Sequence, residues 1–130
     1  MDSIVYFEEW NDPLIAAIAW VSELIERAGG TDVFADLCSK RAASERVVSS
    51  EEVCRRNPDV IFASWCGRPV RIAEIAARPG WERLPAIMGN HVYEIAGRDI
   101  LQPGFRLVYG YEKIKQCLTV QLPIGRTRHS

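Results

Sequence analysis

Four consecutive apolar residues, Val60-Ile61-Phe62-Ala63, constrain this chain more than any other stretch. Asn57-Pro58-Asp59 bounds the run on one side and Cys66-Gly67 on the other. A short apolar run between turn signals reads as a strand buried on both faces, the kind found inside parallel sheets covered by helices. Ser64 and Trp65 follow it directly. In open α/β sheets, ligands bind beyond the carboxyl ends of the strands. A large aromatic at that place is either a cover for the core or part of a binding surface.

The rest of the chain supplies elements to build around this strand. Residues 3–8, with Ile4, Val5, Tyr6 and Phe7, read as a first strand. Asp12-Pro13 reads as a helix start, with Asp12 capping and Pro13 in the first helical position. Leu14, Ile18, Val21, Ile25 and Ala28 then form one apolar stripe, and Gly29-Gly30 ends the helix. Residues 31–46 carry a weak signal. Val47-Val48 reads as a short strand, and Ser49-Ser50-Glu51-Glu52 as a cap followed by acids in a first helical turn. Val70, Ala73 and Ala77 suit a helix that Arg78-Pro79-Gly80-Trp81 breaks, and residues 81–84 suit one short turn. Residues 91–95 read as another strand. Leu101-Gln102-Pro103-Gly104 opens a last helix striped by Leu107, Tyr111, Ile114 and Leu118. Strands alternating with helices predict an α/β lobe: a mostly parallel, Rossmann-like sheet with helices on both faces. The lobe is expected over residues 1–122, with a flexible tail over 123–130.

Totals narrow the function classes. The 130 residues suffice for one hydrophobic core, and a net charge of −1 leaves no basic block for nucleic acid. No apolar run approaches the roughly 18–20 residues that span a bilayer. The N-terminus lacks a basic, apolar leader, so no signal peptide is expected. Cys38, Cys54, Cys66 and Cys117 include no CxxC pair, and His91 and His129 are the only histidines. Zinc patterns are therefore absent, and the cysteines read as small hydrophobes whose pairing the sequence does not reveal.

Three loops, residues 8–12, 64–69 and 96–104, should gather at the carboxyl edge of the sheet. They bring Trp10, Trp65 with Cys66, and Gln102-Pro103. Two tryptophans on one edge suit a flat hydrophobic ligand. Catalytic signals are sparse: Glu8-Glu9 are adjacent strand residues that point to opposite faces, and no nucleophile elbow or phosphate-binding glycine pattern is present. Glu74, on the helix after the central loop, reads as solvated surface or as a contact for a basic partner.

The order and spacing of several short motifs resemble one family. Phe7-Glu8-Glu9-Trp10-Asn11-Asp12-Pro13-Leu14, Trp20-Val21-Ser22-Glu23-Leu24, Asn57-Pro58-Asp59-Val60, Ser64-Trp65-Cys66-Gly67, Arg78-Pro79-Gly80-Trp81, Val92-Tyr93-Glu94 and Leu101-Gln102-Pro103-Gly104 resemble the C-terminal lobe of cobalamin-type (class III, cluster A-2) substrate-binding proteins of ABC importers. The likeness runs over residues 4–118. It implies a two-lobed extracytoplasmic protein, with corrinoid, haem or an iron–siderophore complex held between the lobes and delivered to a membrane permease. It also implies that Trp10, Trp65, Cys66, Gln102 and Pro103 line one half of the cleft, and that Glu74 docks on the permease. No catalytic residue, metal site or resident cofactor is implied. An N-terminal lobe, a linking helix and an export signal are missing from this sequence, so only half a cleft is expected. Without a signal, a cytoplasmic location stays open. A homodimer would rebuild a two-sided cleft. Two other readings stay open: a small α/β enzyme using Cys66 or Glu9, and a dimerising lobe that has lost its ligand.

Overall fold

The computed structural model describes residues 3–66 and 68–127. Gly67 and the tail residues 128–130 lie outside the described residues. Six strands form one mixed sheet: β1 Ser3–Asn11, β2 Leu14–Ala16, β3 Gly30–Asp32, β4 Val47–Val48, β5 Val60–Ala63 and β6 Val92–Glu94. Their order is β4-β2-β1-β5-β6, with β3 also beside β1. The central strands β1, β5 and β6 run parallel, as does β3 with β1. Strand β2 runs antiparallel to both β1 and β4.

All four residues of β5 are buried, as the apolar run predicts. Burial of Val60, Ile61 and Phe62 is worth about 1.5–3 kcal/mol each. Side chains alternate across the sheet, so two cores form. Val5, Phe7, Val60 and Phe62 meet Val21 and Ile25 of α1 (Ala19–Arg27), Ile100 of α5 (Gly97–Ile100), and Ile114 and Leu118 of α6 (Leu107–Thr127). Tyr6, Ile61 and Ala63 meet Val53 of α2 (Ser50–Arg56), Ile75 of α3 (Ile72–Ala76), Trp81, and Ala86 of α4 (Pro85–Met88). Helices thus cover both faces.

Two local signals act as expected. Ser49 caps α2, its Oγ accepting from the Glu52 N–H at 3.0 Å. Gly29 takes φ +98° just after α1, where a residue with a Cβ would be strained.

The segment after Asp12-Pro13 corrects the sequence reading. Residues 14–16 form a strand instead of the first turn of a helix, and Asp12-Pro13 is the turn of a hairpin. Leu14 packs in the core on the opposite face from Val21 and Ile25, so the apolar stripe joins residues of two different elements. Strand pairing wins here because Leu14-Ile15-Ala16 finds open backbone on both sides, Glu8–Asn11 on one and Val47-Val48 on the other. The weak stretch after Gly29 contains β3, which pairs with the first half of β1. A second correction concerns the last helix. It starts at Leu107, after α5 and an irregular loop over residues 101–106. The end of α6 at Thr127 overlaps the stretch from Pro123 that the sequence marks as a tail.

Helix α6 crosses α5 at Gly110. A Cβ there would lie 2.4 Å from the Asp99 carbonyl oxygen and 2.8 Å from Ile100 Cδ1. Alanine is the better helix former by about 1 kcal/mol. Overpacking against rigid backbone costs about 1–3 kcal/mol and should win. Gly110→Ala is therefore expected to lower the free energy of unfolding by up to about 2 kcal/mol net in urea titrations. A more stable variant would mean that the two helices part easily.

Candidate binding edge

Parallel register lines up the carboxyl ends of three strands: Glu8 pairs with Ala63, and Ala63 with Glu94. The backbone continues this alignment past the strands. Ser64 N–H donates to the Glu8 carbonyl at 2.9 Å, Cys66 N–H to the Glu9 carbonyl at 3.4 Å, and Ile95 N–H to the Ala63 carbonyl at 3.0 Å. The three segments therefore meet at one edge, although they are not all loops: residues 8–11 continue β1 and residues 97–100 form α5.

The expected site residues take different positions there. Trp10 is half-buried, its indole N–H held by the Asp12 carbonyl at 3.0 Å. Trp65 is only 2% exposed and packs in the core. Of the two roles open to it, the structure gives it that of a core cover. Arg68 joins the two rings, its guanidinium carbon 5.7 Å from the Trp10 ring centre and 5.5 Å from that of Trp65. Cys66 and Gln102 share a cavity of about 260 Å³ with Gly97, Arg98 and Leu101. Pro103 is exposed beside Gln102. Ser64 Oγ is buried and has no hydrogen-bond partner among the described residues. A Cβ on Gly97 would lie 3.7 Å from that oxygen.

A buried polar cluster fixes the floor. Glu8 is fully buried and accepts four hydrogen bonds: Arg78 donates to both carboxylate oxygens at 2.7 and 2.9 Å, Trp65 Nε1 at 2.8 Å and Tyr6 Oη at 2.9 Å. A bidentate pair of this kind satisfies a charge that would otherwise be costly to bury. Burial, and next the Glu8 charge, hold the Tyr6 phenol well above its ordinary pKa, so it stays a donor. The cluster pins the Trp65 indole and hence the loop that carries Cys66.

Glu9 is structural too. Its Oε1 meets Arg46 Nη1 at 3.0 Å and its Oε2 accepts from Ile18 N–H at 2.8 Å. Arg46, 3% exposed, also donates to the carbonyls of Ala16 and Lys40. Both carboxylate oxygens are thus engaged by the protein itself. All four thiols are free, and Cys66 is exposed. Glu74 lies in the first turn of α3, exposed and 3.7 Å from Arg71. Among the described residues, no group of three or more His, Cys, Asp or Glu side chains is placed to hold a metal, and no helix is long and apolar enough to cross a membrane.

Sequence reasoning missed the basic residues of this edge. Arg68 sits in the central loop and Arg98 in the third segment, so a search for charge near the aromatics would have found them. The Glu8–Arg78 pair carries no such signal, because 70 positions separate its members. Chemically, the edge offers a half-buried aromatic face, two exposed guanidinium groups, an amide and a small cavity. That set suits non-covalent capture of a flat ligand with polar arms.

Residues 1–98 match a family described as "Periplasmic binding protein". The chain is 30% identical over 109 residues to a vitamin B12-binding protein of Vibrio campbellii, covering 81% of this chain and 37% of that protein. Its fold is similar to that of the periplasmic vitamin B12 binding protein of Vibrio cholerae, with a TM-score of 0.73 and 23% identity over 92% of this chain and 45% of that one. A periplasmic haem-binding protein of Roseiflexus gives a TM-score of 0.70 at 17% identity, covering 91% of this chain and 46% of the other. The chain thus spans less than half the length of each of these proteins.

Proposed function

The chain belongs to the periplasmic binding protein family, and from this we propose that it is one ligand-binding lobe of an ABC importer's solute-binding protein. Its ligand is a corrinoid or a related metal chelate such as haem or an iron–siderophore complex. The observation that carries this reading is the meeting of three segments at one sheet edge, where Cys66 and Gln102 line a small cavity and Trp10 and Pro103 lie on the same segments. Trp65 acts from below, as the cover on which the ligand surface rests. On this reading Glu74, exposed on α3, docks on the permease, and the protein works outside the cytoplasm.

One lobe buries one side of a ligand, and burial of most of the ligand surface gives small-molecule sites their affinity. A second lobe is therefore needed. Phe105 and Val108, 79% and 60% exposed just beyond Gln102, support a second copy in that role. Apolar groups this exposed favour association.

Titration with cyanocobalamin and with haem, followed by tryptophan fluorescence corrected for ligand absorbance, tests the proposal. At least one of the two should quench saturably in the micromolar range, about −8 kcal/mol. Trp10→Ala should weaken that binding roughly threefold to tenfold by removing one aromatic contact. Sedimentation of the same samples should show a dimer. No saturable response to either compound at about 100 μM would overturn the binding reading. A monomer that still binds would overturn only the dimer.

A further inference from the structure

Arg68 lies on both tryptophans of the edge. Its guanidinium carbon stands 5.5 Å from the Trp65 ring centre and 5.7 Å from that of Trp10. Arg68 itself is exposed, whereas Trp65 is only 2% exposed, so the arginine occupies the solvent side of that ring. No carboxylate among the described residues pairs with it. The two acids of β1 are taken: Glu8 by Arg78, Tyr6 and Trp65, and Glu9 by Arg46 and the Ile18 N–H. Two ring faces alone thus hold the guanidinium in place, and cation–π contacts at exposed sites are the weaker ones.

Everything around this side chain is fixed more firmly. Trp65 Nε1 donates to Glu8 at 2.8 Å, and Trp10 Nε1 to the Asp12 carbonyl at 3.0 Å. The Arg68 N–H donates to the Trp65 carbonyl at 3.1 Å, and the Val70 N–H to Glu94 Oε2 at 3.0 Å. Rings and backbone are anchored. The long arginine side chain is the part that can turn, and exposed side chains change rotamer within nanoseconds.

We infer that Arg68 is a displaceable cover of the binding edge: in the ligand-free lobe it lies across Trp10 and Trp65, and a flat apolar ligand takes its place on the same rings. The inference rests on the ligand-binding reading above. A turn of Arg68 bares one face of Trp65 and leaves its N–H on Glu8, so a ring that is buried without ligand joins the binding surface with it. Arg68 is then also a determinant of specificity. A ligand must gain more from the two rings than a guanidinium does, which favours wide conjugated planes over small ones.

Arg68→Ala removes the cover, and two measurements read the result. Arg68 is exposed and belongs to neither core, so the variant should fold like the wild type. Acrylamide should quench tryptophan fluorescence more steeply in Arg68→Ala than in the wild type. The increment should persist in a Trp10→Phe background, where Trp65 remains. Haem dimethyl ester offers a wide plane without carboxylates, so charged arms play no part in the comparison. It should bind Arg68→Ala roughly threefold to tenfold tighter than the wild type, because two cation–π contacts no longer compete with it. Equal or weaker binding of the ester by Arg68→Ala, or unchanged quenching, would overturn the cover and leave the binding reading intact. Failure of the ester, haem and cyanocobalamin to bind either protein would overturn the binding reading, and the displacement with it.

Discussion

Arg78→Ala is expected to destabilise the protein by about 3–5 kcal/mol, because it strands a fully buried carboxylate. Glu8 would keep two neutral donors, Tyr6 Oη and Trp65 Nε1, and lose both charge-assisted bonds from Arg78. An exposed ion pair is worth about 0–1 kcal/mol, so the large figure comes from desolvation of the orphaned charge and not from the pair itself. Glu8→Leu combined with Arg78→Met should recover much of the loss, since an apolar pair of similar volume carries no desolvation penalty. Urea unfolding followed by circular dichroism reads both variants. A loss below about 1 kcal/mol for Arg78→Ala would mean that water reaches Glu8.

Trp81→Ala should cost a comparable amount, about 3–5 kcal/mol, through the cavity it leaves. Trp81 is fully buried. Its ring meets Tyr6 edge-on at 6.1 Å, lies 4.6 Å under the Arg78 guanidinium, and donates from Nε1 to Ser50 Oγ at 2.6 Å. The residue therefore ties the start of α2 to the Glu8 cluster. Trp81→Phe keeps most of the apolar packing and should cost less than half as much. Because Trp81 and Arg78 touch, the double variant should lose less than the sum of the single losses. Additive losses would show that the two side chains act independently.

These two positions also show what can be read from sequence. Arg78-Pro79-Gly80-Trp81 reads as a helix break, and residues 81–83 do form one short turn. Nothing in that stretch says that Arg78 reaches back 70 positions to a strand, or that Trp81 fills the centre of a core. The edge loops show the same split. That residues 8–12, 64–69 and 96–104 gather together followed from the alternation of strands and helices, and the parallel register of β1, β5 and β6 agrees. Which tryptophan faces solvent did not follow. Trp10 and Trp65 look alike in sequence, and the buried Glu8 carboxylate decides between them by holding the Trp65 indole inward.

Patterns carried by neighbouring residues were open to direct reading. The four-residue core of β5, the Ser49 cap, the glycine end of α1 and the Ile114–Leu118 stripe all depend on chemistry within a few positions, which the local backbone obeys. Pairings between distant segments were not. Residues 14–16 carry a helical stripe and an apolar strand pattern at once, and the open backbones of β1 and β4 selected the strand. Strand β3 exists because β1 offers it partners along Ser3, Ile4 and Val5, although Gly30, Thr31 and Asp32 have little strand character as a set. The alternating α/β lobe and the gathering of its segments at one edge belong to the sequence. The hairpin, the inward turn of Trp65 and the basic rim of the cavity were decided by tertiary structure, because hydrogen bonds and buried charges are satisfied by whichever partner the fold brings within reach.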